Sequence, residues 1–319
     1  MTRKMLMFWI MLCIVNSVSG QSEISQDELY GHIEFLTSDK VAGRFPGTQG
    51  SKKVNKYIRK EFKRGNIQKL GKTYYQKFDA KLRLPKGEEG EAVASTCNVI
   101  GYIEGQHPIL KNEYIVLGAH YDHLGMGSPS SRAGDTVAIH YGADDNASGT
   151  AALLEIAEQL ANQKDELKRS IIFVAFGAEE QGLLGSKYFV ENSAIPLSDI
   201  VLMINMDMVG RLNNNNHLYM GGAGTFPNGV EFMKSMGENS DLNLIVHAGG
   251  VGGSDHVSFY KKQISVLGLH TGGHPQYHRP EDTIDLINFS GMEKVCQYIY
   301  QTIFTLANSD EDFKFIPRD

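Results

Sequence analysis

Ile171-Ile172-Phe173-Val174-Ala175-Phe176-Gly177-Ala178-Glu179-Glu180-Gln181-Gly182 runs from six apolar residues into a glycine and then into two adjacent carboxylates. A short unbroken apolar run bounded by glycine and polar residues reads as a strand buried on both faces, the kind that fills parallel sheets. Comparable runs lie at Asn98 to Ile103, Tyr114 to Leu117, Ile200 to Ile204 and Ser265 to Leu269. Between them are amphipathic segments at helical spacing, among them Leu153, Ile156, Ala157 and Leu160, and later Met292, Val295, Cys296, Ile299 and Ile303. Alternating strands and helices predict an α/β fold of three layers, α/β/α, with a mostly parallel central sheet flanked by helices.

The flanks are simpler to read. Ser25-Gln26-Asp27-Glu28 is a capping box that opens a short helix, and a second helix is expected from about Ser51 to Arg64. Ser290 to Glu293 reads as another capping box for the last helix. Residues 1–20 pair Arg3 and Lys4 with an apolar run from Met5 to Val15 and small residues up to Gly20, the pattern of a cleavable export leader. Removing them takes away two positive charges and no negative ones, so the formal charge moves from −6 to −8. The expected product, residues 21–319, is one extracytoplasmic domain, periplasmic or secreted, with no membrane attachment after cleavage. No Lys/Arg cluster dominates any motif, which argues against a nucleic-acid partner. Of three cysteines, Cys13 leaves with the leader; whether Cys97 and Cys296 pair stays open, as does the oligomeric state.

Chemistry in a parallel sheet collects beyond the carboxyl ends of its strands, and each expected strand here is followed by a His or a carboxylate. The exits hold His120-Tyr121-Asp122-His123, Asp144-Asp145, Glu179-Glu180, Asp207 and Tyr277-His278. Singly, each has an ordinary structural reading, such as a helix cap, a solvated helix start or a turn. Together they demand a reason. Two unit negative charges about 4 Å apart repel by roughly 4 kcal/mol at an effective dielectric near 20, so converging carboxylates need protons or a cation. Histidine and carboxylate without cysteine suit zinc, cobalt or manganese. Residue type does not separate Glu179 from Glu180, or Asp144 from Asp145.

Gly118-Ala119-His120-Tyr121-Asp122, Ala143-Asp144-Asp145-Asn146-Ala147-Ser148-Gly149, Ala178-Glu179-Glu180-Gln181-Gly182, Asn205-Met206-Asp207 and Tyr277-His278 jointly resemble the co-catalytic di-zinc aminopeptidases of the bacterial leucyl aminopeptidase type. That family is related to glutaminyl cyclases and to the peptidase-like domains of glutamate carboxypeptidase and transferrin receptor. The resemblance extends from Ala42-Gly43-Arg44 onward. It implies two zinc ions per chain bridged by Asp145, one completed by His120 and Asp207, the other by Glu180 and His278. It further implies that Glu179 is the general base, acting on a water held by both ions, and that the substrate is a peptide with a free amino terminus. Adjacent residues leaving a strand point different ways, so one carboxylate can hold metal while its neighbour faces the substrate. Asp122 is expected to accept a hydrogen bond from His120, and Asp255, His256 and Asp282 to be supporting residues near the pocket. His123, His140 and His274 are expected to be structural or substrate-facing.

Three rival functions share the scaffold. A glutaminyl cyclase would hold a single zinc, and Tyr277 stands where the cyclases tend to have tryptophan. A non-enzymatic binding module would have lost the metal residues, which are intact here. A di- or carboxypeptidase often carries an inserted domain, for which the ten residues Glu104 to Glu113 leave no room.

Overall fold

The computed structural model describes residues 24–83, 92–238 and 240–318, so the expected leader lies outside the described residues. Helix α1 (Gln26–Leu36) starts where Ser25 accepts the Glu28 N–H, and Leu29, Ile33 and Leu36 are buried at helical spacing. Helix α2 (Gln49–Arg64) opens two residues before Ser51, because Thr48 caps it through the Ser51 N–H. Gly50 allows that start: a Cβ there would overlap the Val41 carbonyl oxygen. The chain continues through β1 (Gln68–Lys69), β2 (Tyr75–Leu82), β3 (Ala92–Ile103), β4 (Tyr114–His120), α3 (Gly149–Asn162) and β5 (Ser170–Phe176). It then forms α4 (Leu184–Glu191), β6 (Ile200–Met206), β7 (His217–Gly221), α5 (Gly229–Gly237), β8 (Asn243–Val246), α6 (His256–Tyr260), β9 (Ser265–His270) and α7 (Phe289–Asn308).

Among the described residues these strands form one mixed sheet in the order β1-β3-β5-β4-β6-β9-β7-β8, with β2 also on β3. Its centre, β5-β4-β6-β9, is parallel. Antiparallel pairing takes over at the flanks, where β1, β2 and β5 meet β3 on one side and β7 meets β9 on the other. The apolar run at Asn98 to Ile103 is thus a strand, but one that runs against its neighbours.

The period of two along β5 divides the interior. Ile171, Phe173 and Ala175 pack with residues of α1, α2, α3 and α7, whereas Ile172, Val174 and Phe176 pack with Phe189 of α4 and Phe259 of α6. Each layer of helices therefore covers one face of the sheet, and the uninterrupted apolar sequence follows from burial on both. Helix α7 does not use its expected capping box: it opens at Phe289, and Asn288 accepts the Gly291 N–H at 3.0 Å.

Cys97 and Cys296 are both free and buried. Asn55 Nδ2 donates to Cys97 Sγ at 3.1 Å, and burial pushes the Cys97 thiol up to about 12 and the Cys296 thiol upward as well. Because the thiolate is the reactive form, both should be silent in the native state. Ellman titration of protein lacking residues 1–20 should release no fast equivalent at pH 8 and both thiols in denaturant; a fast equivalent in native buffer would contradict this packing.

Candidate metal centre

Four of the five candidate ligands stand at or beyond the carboxyl ends of the central parallel strands. His120 closes β4, Glu180 follows β5, Asp207 follows β6 directly and His278 lies in the loop after β9. Asp145 comes from a distorted turn, Ala143–Ser148, that leads into α3. His120 Nε2 is 3.3 Å from Asp145 Oδ1 and 3.4 Å from Asp207 Oδ1. His278 Nε2 is 3.2 Å from Asp145 Oδ2 and 3.3 Å from Glu180 Oε2. The two oxygens of one buried carboxylate therefore face two different imidazoles.

These distances test whether the residues fit a cation. Donors sharing a tetrahedral zinc with bonds of about 2.0–2.1 Å stand about 3.3 Å apart, the separation seen in all four pairs. Asp145 Oδ2 is buried and has no hydrogen-bond partner, although His278 Nε2 is 3.2 Å away. A close approach without hydrogen-bond alignment fits two ligands of one ion better than a bonded pair. Burial alone would raise the Asp145 carboxyl, but the His120 and His278 imidazoles hold it well below its usual range. His123 differs: its Nδ1 is 2.8 Å from Glu180 Oε1, an ordinary hydrogen bond, and 3.9 Å from Asp145 Oδ2. By distance alone His123, Asp145 and Glu180 also form a possible ligand group, but its short contact assigns His123 to orienting Glu180.

A model of peptidase family M28 matches residues 98–303, a span that contains all five residues and well over half of the chain. The chain belongs to peptidase family M28. It is 29% identical over 230 residues to aminopeptidase YwaD of Bacillus subtilis strain 168, an alignment covering 69% of this chain and 47% of that protein. The chain thus spans about half the length of this curated relative. Among solved structures, BSAP, a zinc aminopeptidase from Bacillus subtilis, matches with a TM-score of 0.71 at 18% identity over 92% of this chain and 98% of that one. Glutaminyl cyclase of Bacteroides thetaiotaomicron bound to N-acetylhistamine gives 0.69 at 20% identity, covering 89% and 98%. At such identities both establish the fold alone.

What holds the M28 site together is largely backbone capture. Asp122 was expected to orient His120, yet its Oδ1 is 3.9 Å from His120 Nδ1, which instead donates to the Asp122 main-chain oxygen at 3.2 Å. The Asp122 carboxylate accepts the N–H groups of Glu179 and Glu180 at 2.9 and 3.3 Å. Asp282 repeats the device: its Oδ2 accepts the N–H groups of Asp144 and Asp145, each at 3.0 Å. Asn146 ties the same turn to β6, donating to the Met206 carbonyl at 2.9 Å and accepting the Met208 N–H at 3.2 Å. Gly142, at φ +55°, lets this turn fold back; a Cβ there would run into the Asp145 carbonyl oxygen and the His123 ring.

The remaining candidates take up positions around this core. Glu179 is partly exposed, and burial with its neighbours Glu180, Asp255 and Asp207 pushes its carboxyl well above the usual range, against the attraction of His120. Asp255 is fully buried with neither oxygen hydrogen-bonded, and burial raises it to about 7. His256 lines the adjoining cleft and is lowered by burial to about 4. His274 Nε2 lies 3.4 Å from Asp144 Oδ2 and 4.0 Å from Asp282 Oδ1. His140 is structural, bonded through Nε2 to Ser131 Oγ at 2.8 Å.

Sequence reasoning gave Arg44 no role. It is completely buried and donates to the carbonyls of Tyr121, Leu36, Tyr141 and Gly142 at 2.6–3.0 Å, stitching the loops that carry His120, His123 and Asp145. Burial lowers its pKa to about 10 against the attraction of Asp145, Asp122, Asp282 and Glu180. Arg44→Met should therefore destabilise the fold by about 3–5 kcal/mol in urea titration, since it strands four carbonyls, three of them buried; a loss under about 1 kcal/mol would contradict that role.

Proposed function

We propose that the chain is a zinc-dependent aminopeptidase that hydrolyses the first peptide bond of substrates with a free amino terminus, using two zinc ions per chain. The observation that carries this reading is the division of the Asp145 carboxylate, Oδ1 toward His120 and Oδ2 toward His278. Membership of a peptidase family and the aminopeptidase names of relatives support it. His120, Asp145 and Asp207 would hold one ion and His278, Asp145 and Glu180 the other. When bound, such a pair supplies Lewis-acid polarisation of the scissile carbonyl and lowers the pKa of the attacking water.

The chain's own groups do the rest. The Glu179 carboxylate takes the proton from the attacking water and returns it to the leaving amine. Asp122 fixes the backbone on which Glu179 and Glu180 diverge, so that one can face metal and the other substrate. Asp207, which lines the cleft, marks its end at the metal-site residues. The Arg3 to Gly20 pattern supports export, and among the described residues no helix is long and apolar enough to cross a membrane.

Glu179→Gln should lower kcat on aminoacyl substrates by about 10²–10⁴-fold while metal content by mass spectrometry stays unchanged. Retention of the wild-type rate would sink the assignment, and turnover only of N-terminal glutaminyl or N-acylated peptides would favour the cyclase or carboxypeptidase alternatives. His278→Ala should lose one metal equivalent, whereas His123→Ala should keep both with affinity weakened about 10- to 100-fold. Loss of an equivalent from the His123 variant and not from the His278 variant would reverse the two roles.

A further inference from the structure

The cleft beside the metal-site residues has a volume of about 680 Å³ and is lined by Asp207, His256, His270, His274, Tyr277 and Arg132, among others. Among the described residues Arg132 is its one lysine or arginine. The Arg132 guanidinium has no carboxylate in ion-pairing distance there; its contact is the Tyr277 ring, with Cζ 4.6 Å from the centroid. Tyr277 in turn stacks on His278, centroids 3.8 Å apart and planes at 21°. The backbone is anchored to the same residue: the Arg132 N–H donates to the His278 carbonyl at 3.0 Å, and His278 Nδ1 donates to the Ser130 carbonyl at 2.9 Å.

A guanidinium whose partner is an aromatic ring keeps its N–H fork available to bind a carboxylate through two parallel hydrogen bonds. Solvated arginines on a surface are common, but this one is held by two stacked rings to a residue of the metal site and faces into the cleft. An extended peptide advances about 3.3–3.6 Å per residue. Two stacked layers from His278, the fork is within reach of a carboxylate one or two residues beyond the scissile carbonyl. Resting on the peptidase reading, we infer that Arg132 selects substrates that carry a carboxylate on the leaving side, either the C-terminal carboxylate of a di- or tripeptide or an aspartate or glutamate side chain next to the cleaved bond. The substrate would then lie with its scissile carbonyl at the metal-site end of the cleft and its carboxylate toward Arg132.

The test compares leucyl-alanine with its C-terminal amide, and leucyl-aspartyl-alaninamide with leucyl-asparaginyl-alaninamide, in wild type, Arg132→Ala and Arg132→Lys. At least one wild-type ratio of kcat/KM, acid over neutral, should exceed ten, and in Arg132→Ala it should fall by about ten-fold or more, mostly through KM, with partial rescue by lysine. A fall confined to the first pair assigns the C-terminal carboxylate, and one confined to the second assigns the side chain. Ratios unchanged by the substitution, or a wild type indifferent to both pairs, would overturn the inference and leave the peptidase reading standing. Should wild type cleave none of the four, the peptidase reading falls instead. Calorimetric binding of leucyl-alanine and its amide to zinc-loaded protein then decides on Arg132: an acid preference lost in Arg132→Ala supports the inference, and equal affinities overturn it.

Discussion

The Asp145 carboxylate, with one oxygen against His120 and the other against His278, is the contact around which the carboxyl edge of this sheet is arranged. Acids do not gather unaided: a pair of unit charges about 4 Å apart costs roughly 4 kcal/mol even at an effective dielectric of 20. Asp122, Asp144, Asp145, Glu180, Asp255 and Asp282 are all buried within this region. Three kinds of countercharge meet them: imidazoles, aligned backbone N–H groups and the buried Arg44 guanidinium. A pair of divalent cations would complete the balance.

The backbone captures share a logic. Asp122 lies two residues after His120 and grips the amides of Glu179 and Glu180, while Asp282 lies four residues after His278 and grips those of Asp144 and Asp145. Each histidine-bearing loop thus fixes a pair of acids supplied by another loop. Displacing one loop would shift ligands on both sides of Asp145. The parallel strands β4, β5 and β6 provide the rigid base for this exchange, because burial on both faces leaves their ends little freedom.

The sequence disclosed the central strands because unbroken apolar runs such as Ile171 to Phe176 have no other comfortable environment. It disclosed much less of the flanks. β2 alternates buried Phe78 and Ala80 with exposed Lys77, Asp79 and Lys81, the mark of a half-covered edge, and reads as an ordinary polar stretch without its partner β3. Ser290 looks like a cap, but Asn288 reaches the helix start first. The candidate ligand types were legible from their positions after strands and from family resemblance. Their supports were not: the acceptors of Arg44 in the Tyr141 and Gly142 carbonyls lie 97 and 98 positions away, and Asp122 meets Glu179 across 57. His123 stands in the His120-Tyr121-Asp122-His123 segment and is expected there to be structural or substrate-facing, a reading that leaves its partner open. Only coordinates separate its 2.8 Å hydrogen bond to Glu180 from the wider spacing of shared ligands.

Anomalous diffraction from crystals of zinc-loaded protein, collected on both sides of the zinc absorption edge, addresses the central claim most directly. The account predicts two peaks, one on each side of the Asp145 carboxylate, with His120 and Asp207 bonded to the first and Glu180 and His278 to the second. A single peak, or two that do not share Asp145, would contradict it.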